Sequence, residues 1–299
     1  MITFVLPCYQ SNLRFVAKAI DSVLVQSNND WRLIVVDGNQ SKDIKLYQLV
    51  KSYPSDKVSY IKNPSTSPSI ANNWNYGLSL STTDLVTLLH DDDFLAPRYV
   101  EKMLGLSEKF PESSCYFSDV HLVNELDDLT VTFADTVKRW LTPNSDLIHL
   151  EGDKGLAGLL AGCFIFCPTL CYRKSAIPRM PYSNKWKMVL DFQFYYDILI
   201  SGGVITGTSE KLYHYRRHQQ NQTLLMTNDM TRFSEEVSFY SYVRCQLSDS
   251  DWPLSINVAK SQYIIKMHLA YLFTKQVICL RLSKAKKILE FYLFHFKPQ

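Results

Sequence analysis

The sequence predicts an α/β fold: a central, mostly parallel sheet covered by helices, followed by a helical C-terminal extension. Three observations predict it. The N-terminal third alternates short apolar runs with apolar residues at helical spacing. Each of these runs but the third ends on proline, glycine or carboxylates. From about Asp229 onward only helical patterning remains.

Ile2–Leu6 is apolar throughout and is ended by Pro7, as in a strand buried on both faces. Phe15, Val16, Ala19, Ile20, Val23 and Leu24 then recur at helical spacing. Trp31–Val36 reads as the second strand, closed by Asp37-Gly38. Ile44–Val50 resumes a helix, Val58–Ile61 is a third strand, and Ser69–Ser79 is a helix with Pro68 as its start signal. Leu85–Leu89 is a fourth strand that runs into His90-Asp91-Asp92-Asp93. Strands alternating with helices lie parallel, and ligands bind beyond their carboxyl ends. Pro7-Cys8-Tyr9, Asp37-Gly38 and the aspartate triplet all fall at such ends, which groups them into one site. Farther on, Cys115–Leu122 reads as a strand, Asn124–Asp128 as a turn, Leu141–Asp153 as loop, Phe164–Tyr172 as a strand and Val189–Ile200 as a helix.

The 299 residues are 46% hydrophobic and 20% charged, enough apolar material for a sizeable core. A net charge of +3 supports no nucleic-acid partner. Cys163, Cys167 and Cys171 recur at every fourth position of an apolar run, where small packing residues are expected rather than a metal site. Seven cysteines, with no secretory leader before Ile2, fit a reducing cytoplasm.

Adjacent carboxylates repel, so Asp91, Asp92 and Asp93 at a strand end call for a compensating cation. Oxygen ligands in this number suit Mn²⁺ or Mg²⁺, which also bind diphosphate oxygens.

The matching pieces that follow resemble the family 2 inverting glycosyltransferases, in family order. They are Phe4–Tyr9, Ala19–Gln26, Leu33–Gly38, Asn75-Tyr76-Gly77 as an Asn-x-Gly turn, and Leu88–Pro97 as the DxD segment. The pattern departs at Val36, His90 and Trp74, where many members carry acids or arginine. The resemblance implies a Rossmann-like GT-A fold and a UDP-sugar donor held by Pro7, Tyr9, Asp37, Asn75 and Asp91. It implies Asp92 as metal ligand, with Asp93 able to exchange roles with it. Val189–Phe194 resembles the family's Glu-Asp motif with Leu190 replacing Glu, which makes Asp191 the expected general base; Asp197 is the alternative, and a helix cap the structural role open to Asp191. Tyr215–Thr223 resembles a closing Tyr-Arg-x-His-x-x-Asn segment, from which Arg217 and His218 are expected at the diphosphate.

The expected organisation is a nucleotide-sugar-binding half at 1–97, an acceptor-binding half at 98–223 and a helical extension at 224–299. The expected activity is metal-dependent sugar transfer to a glycan or lipid-linked glycan acceptor. A nucleotidyltransferase is disfavoured because no glycine-rich loop follows Leu6, and a noncatalytic nucleotide-sugar-binding protein because it needs no base. Lys275–Lys297 mixes basic with apolar and aromatic residues, the composition of an interfacial helix, which would place the enzyme at the cytoplasmic face of a membrane.

Overall fold

The structure is a computed structural model that describes residues 1–40, 44–54, 56–65, 69–219 and 221–296; Pro68, Gln220 and Lys297 lie outside them. In chain order the elements are β1 (Ile2–Cys8), α1 (Leu13–Leu24), β2 (Trp31–Asp37), α2 (Lys45–Lys51), β3 (Val58–Lys62), α3 (Ile70–Leu80), β4 (Leu85–Leu88), β5 (Phe94–Leu95), α4 (Tyr99–Lys109) and β6 (Ser113–Val123). They continue with α5 (Phe133–Leu141), β7 (Leu147–Leu150), α6 (Gly152–Ala161), β8 (Cys171–Arg173), α7 (Leu190–Ile200) and β9 (Val204–Arg216). The remaining helices are α8 (Gln222–Asn228), α9 (Thr231–Gln246), α10 (Pro253–Ser261), α11 (Tyr263–Ile278) and α12 (Leu282–His295).

One sheet runs in the order β3-β2-β1-β4-β8-β6-β9-β5, with β7 also on β9. Its first half is parallel, with Cys8 opposite Asp37 and Val5 opposite Leu88. The three strand ends expected to form a site therefore lie on one edge. Beyond β4 the directions mix: β8 is antiparallel to β4 and β6, while β6 and β9 are parallel. The amphipathic face of α1 buries Val16, Ala19, Ile20 and Val23 in the core that holds Phe4, Leu6 and Leu33.

The turn after the acidic triplet is pinned from α1. Gln26 Nε2 donates to Ala96 O at 2.8 Å, and its Oε1 accepts from Val100 N at 3.0 Å. Ser22 Oγ accepts from Leu95 N at 3.0 Å. Two buried polar side chains thus satisfy main-chain groups that no ladder reaches.

Several local expectations are corrected. Asn75-Tyr76-Gly77 is not a turn but lies within α3. Gly77 lets α3 approach β1, since a Cβ there would come 2.4 Å from Val5 Cγ1. Gly77→Ala is expected to destabilise the fold by about 1–3 kcal/mol through overpacking, read as a lower urea midpoint. Leu141–Asp153 is not all loop: β7 pairs with β9, Leu147 opposite Thr208. Phe164–Tyr172 is strand only from Cys171, because Pro168 opens a tight helical turn at Cys167–Thr169. Lys275–Lys297 is not one helix, since α11 stops at Ile278 and α12 starts at Leu282.

The chain divides into two compact units. The first, Met1–Gly152 with Phe164–His218, contains the whole sheet. The second comprises Asp153–Cys163 and Gln219–Gln299 and is helical. Within it Asp153 receives the N–H groups of Leu254 and Ser255 at the start of α10, and Tyr240 donates to Leu160 O. No described helix is long and apolar enough to cross a membrane.

Candidate active site

The loop after β1 forms the first wall. Pro7 is buried in β1 opposite Val36, whereas Tyr9 is 47% exposed. Gln10 takes a left-handed φ of 52° and donates its N–H to Asn39 Oδ1 at 2.7 Å. Ser11 donates its hydroxyl to Asp91 Oδ2. The β1 loop is thereby tied both to the loop after β2 and to the triplet.

Asp37 closes β2 with 1% exposure. Its Oδ2 accepts from Tyr60 Oη at 2.7 Å and Lys62 Nζ at 2.8 Å, and its Oδ1 from Asn39 N at 2.9 Å and Asn39 Nδ2 at 2.8 Å. Burial opposes the charge, but bonds from Lys62, Tyr60 and Asn39 outweigh it and hold the carboxyl below its ordinary value. With four donors already on it, the carboxylate organises its loop. Gly38 is tightly enclosed there, because a Cβ would sit 3.1 Å from the Asn73 amide and 3.2 Å from Cys8 O.

The triplet follows β4. Asp92 Oδ2 lies 2.9 Å from His218 Nε2. Asp93 is 1% exposed; its Oδ1 accepts the Arg216 N–H at 2.7 Å, while its Oδ2 is buried with no hydrogen-bond partner. His90 Nε2 is likewise buried without a partner. Burial, then the charge of Asp92, pushes both Asp91 and Asp93 above the ordinary carboxylate range. Burial holds the His90 imidazole below its ordinary value. Ligand atoms from His90, Asp92 and Asp93 lie within 4.8 Å of one another, a grouping that satisfies metal spacing among the described residues. Orphaned buried ligand atoms and carboxylates held against their charge are what a divalent cation relieves, so these residues fit one. Two carboxylates suit Mn²⁺ or Mg²⁺, and the imidazole tilts the set toward Mn²⁺.

Arg216 locks this arrangement from β9. It is 1% exposed, and its guanidinium donates to Asp92 O at 2.7 Å and Asn124 O at 2.8 Å and pairs with Asp127 at 2.6 Å. It also lies 4.2 Å from the Phe15 ring centroid. Arg217, its neighbour, serves another element: it pairs with Asp135 at 2.5 Å, the residue that forms a capping box with Thr132 at the start of α5.

A further wall comes from α3 and the segment before α7. Asn75 is 5% exposed, and its amide donates to Tyr182 O at 2.6 Å and accepts from Tyr182 N at 3.1 Å. Trp74 then lies between Tyr182, at 5.0 Å edge to face, and His90, at 5.2 Å. Asp191 stands in the first turn of α7, whose N-cap is Val189; its Oδ1 accepts from Phe192 N at 2.8 Å. Burial chiefly raises the Tyr182 phenol, and the charges of Cys167 and Asp191 add to the effect. Asp197 accepts from Gln193 Nε2 at 2.7 Å, and Gln193 Oε1 accepts from Trp186 Nε1 at 3.1 Å.

The structure thus joins Asp91, Asp92, Asp93 and His218 directly, and links Asp37 to them through Asn39, Gln10 and Ser11. Asn75 reaches the triplet's side through Tyr182 and Trp74, and Asp191 stands at the start of α7. Arg217 is engaged at α5. Sequence reasoning did not group His90 with the aspartates, and it missed Arg216 as the clamp and Ser11 and Gln26 as supports. The Tyr-Arg-x-His spacing itself pointed to Arg216 rather than Arg217.

Solved structures of S. aureus TarS are similar to this chain in fold. The complex of TarS residues 1–349 with UDP-GlcNAc has a TM-score of 0.64 at 13% identity, covering 98% of this chain and 80% of that one. The complex with UDP has a TM-score of 0.55 at 14% identity, covering 83% and 72%. A Bacillus subtilis protein named as a glycosyltransferase, EpsE, is 31% identical over 97 residues, 32% of this chain and 34% of its own. An uncharacterized glycosyltransferase of Nostoc sp. is 27% identical over 214 residues, 70% of this chain and 62% of its own. The match therefore spans less than two thirds of either relative. The Glycosyl transferase family 2 model matches residues 3–170, which carry the three strand ends and the acidic triplet, and the chain belongs to that family.

Proposed function

We propose that the protein transfers a sugar from a nucleoside-diphosphate sugar, with uridine as the base, to a hydroxyl of a glycan or lipid-linked glycan, inverting the anomeric carbon. The observation that carries this reading is the group His90, Asp92 and Asp93, with ligand atoms within 4.8 Å, at the edge where the parallel strands end. His90, Asp92 and Asp93 would hold a divalent ion, which when bound neutralises charge on the departing diphosphate. Asp91 and the exposed Tyr9 line the donor side, and His218 faces the diphosphate from β9's end. Asp37 shapes the base pocket through Asn39 and Lys62 rather than by its own saturated carboxylate. Asn75 acts through Tyr182, and Arg217 through α5.

Asp191 takes the acceptor proton as the acceptor oxygen bonds to the anomeric carbon. The bond from that carbon to the phosphate oxygen breaks, and its electron pair leaves with the diphosphate. In-line displacement from the opposite face gives inversion.

Calorimetry tests the donor half of this reading. UDP with Mn²⁺ should bind, and EDTA should abolish the heat. Binding that persists without metal, or a clear preference for another nucleotide, would count against it. Donor hydrolysis or transfer by the purified protein distinguishes an enzyme from a binding protein.

A further inference from the structure

We propose that the connection between α11 and α12 is a membrane-docking tip for an anionic lipid surface. Three large apolar side chains cluster there in solvent: Ile278 is 75% exposed, Leu280 84% and Leu282 65%. Leu280 holds a left-handed φ of 56°, at the end of a helix where glycine or asparagine is the ordinary choice. Packing does not use these side chains. The buried residues of the two helices are Ile265, Leu269, Ala285 and Ile288. Ile288, which composition alone would have assigned to the apolar surface, belongs to the interior.

Charge identifies the occupant. No carboxylate occurs between Asp251 and Glu290, a span that holds Lys260, Lys266, Lys275, Arg281, Lys284, Lys286 and Lys287. Lys275 precedes Ile278 by about one turn, Arg281 separates Leu280 from Leu282, and Lys284 follows after Ser283. Lys287 is turned elsewhere, donating to Asp229 O at 3.2 Å. Lys286 is 77% exposed and reaches Glu290 only at 3.8 Å, a loose surface pair. Apolar side chains ringed by cations match acyl chains beneath anionic headgroups. A second copy of the tip would bring like charges together, which disfavours self-association through it. Since no described helix can cross a bilayer, the tip sits at the interface.

This inference does not depend on the transferase reading, because the site residues lie in the other compact unit. The test uses the full chain, the variant Ile278→Ser/Leu280→Ser/Leu282→Ser, and the variant Arg281→Glu/Lys284→Glu. Flotation with phosphatidylglycerol–phosphatidylcholine vesicles at low salt should carry the wild type, and phosphatidylcholine vesicles should not. Each cation near such a surface contributes about fivefold in partition, so the glutamate variant should lose about tenfold or more, and the serine variant, which withdraws three apolar side chains from the acyl region, should also lose about tenfold or more. Their unfolding midpoints and UDP binding should match the wild type, because the replaced side chains are exposed. Equal flotation of all three proteins would overturn the proposal. So would no flotation of the wild type, or a concentration-dependent dimer that the serine variant abolishes. UDP binding that survives a flotation failure would leave the donor site standing.

Discussion

Asp191→Asn is expected to lower turnover by about 10²–10⁴-fold while UDP affinity stays within about twofold of wild type, the pattern of a lost proton acceptor. The substitution is close to isosteric. Asn retains a carbonyl oxygen that can accept the Phe192 N–H now bonded to Asp191 Oδ1 at 2.8 Å. The first turn of α7 therefore survives, and the N-cap at Val189 is untouched. What disappears is an oxygen basic enough to take a proton from the acceptor hydroxyl. Steady-state kinetics with varied donor and acceptor, together with calorimetry, separate the two effects. Normal turnover would leave Asp191 a structural residue at the start of α7, where it accepts the Phe192 N–H. Asp197 is then the next carboxylate to examine, although it already accepts from Gln193.

How far the residues revealed the site depends on which physical signal each carried. The parallel half of the sheet was readable because strands buried on both faces are continuous apolar runs, although β1 runs through Pro7 to Cys8 and β2 takes in Asp37, so the expected stops fall within the strands or at their last position. Those runs placed Cys8, Asp37 and the triplet on one edge without any three-dimensional information. β9 escaped because its buried stretch is small and partly polar: Thr206 and Thr208 are buried, and Gly207 leaves room for the Phe117 ring, which a Cβ would approach to 2.2 Å. The β-branched run Val204, Ile205, Thr206 and Thr208 was the available signal. Asn75-Tyr76-Gly77 was expected as a turn from the family resemblance, whereas the helix read over Ser69–Ser79 agrees with α3, and close packing of Gly77 on Val5 suits that helix. Asp37 looked like a ligand-reading carboxylate. Only coordinates show that its four hydrogen-bond positions are filled from within the chain.

Arg216→Met should destabilise the first unit by about 3–5 kcal/mol, the cost of removing one partner from a buried charged network. Arg216 and Arg217 are adjacent at the end of a strand, so their side chains leave on opposite faces, and register decides which is buried. The pairing of β6 with β9 sets Arg216 opposite Val123, and the side chain is 1% exposed. Methionine fills much of the volume against Phe15 but leaves Asp92 O and Asn124 O without their donor and takes the nearer of two cations from Asp127, with Lys18 remaining at 3.6 Å. Arg216→Lys keeps the charge but cannot match a planar fork that reaches several acceptors at once, so it should recover only part of the loss. Because the same guanidinium fixes the main chain at Asp92, both variants should also weaken Mn²⁺-dependent UDP binding, measured where they remain folded. Urea unfolding of the three proteins, followed by calorimetry, gives both readouts. Stability equal to wild type in Arg216→Met would mean that the clamp is dispensable and that the triplet is held by Ser11, His218 and the Gln26–Ser22 pins alone.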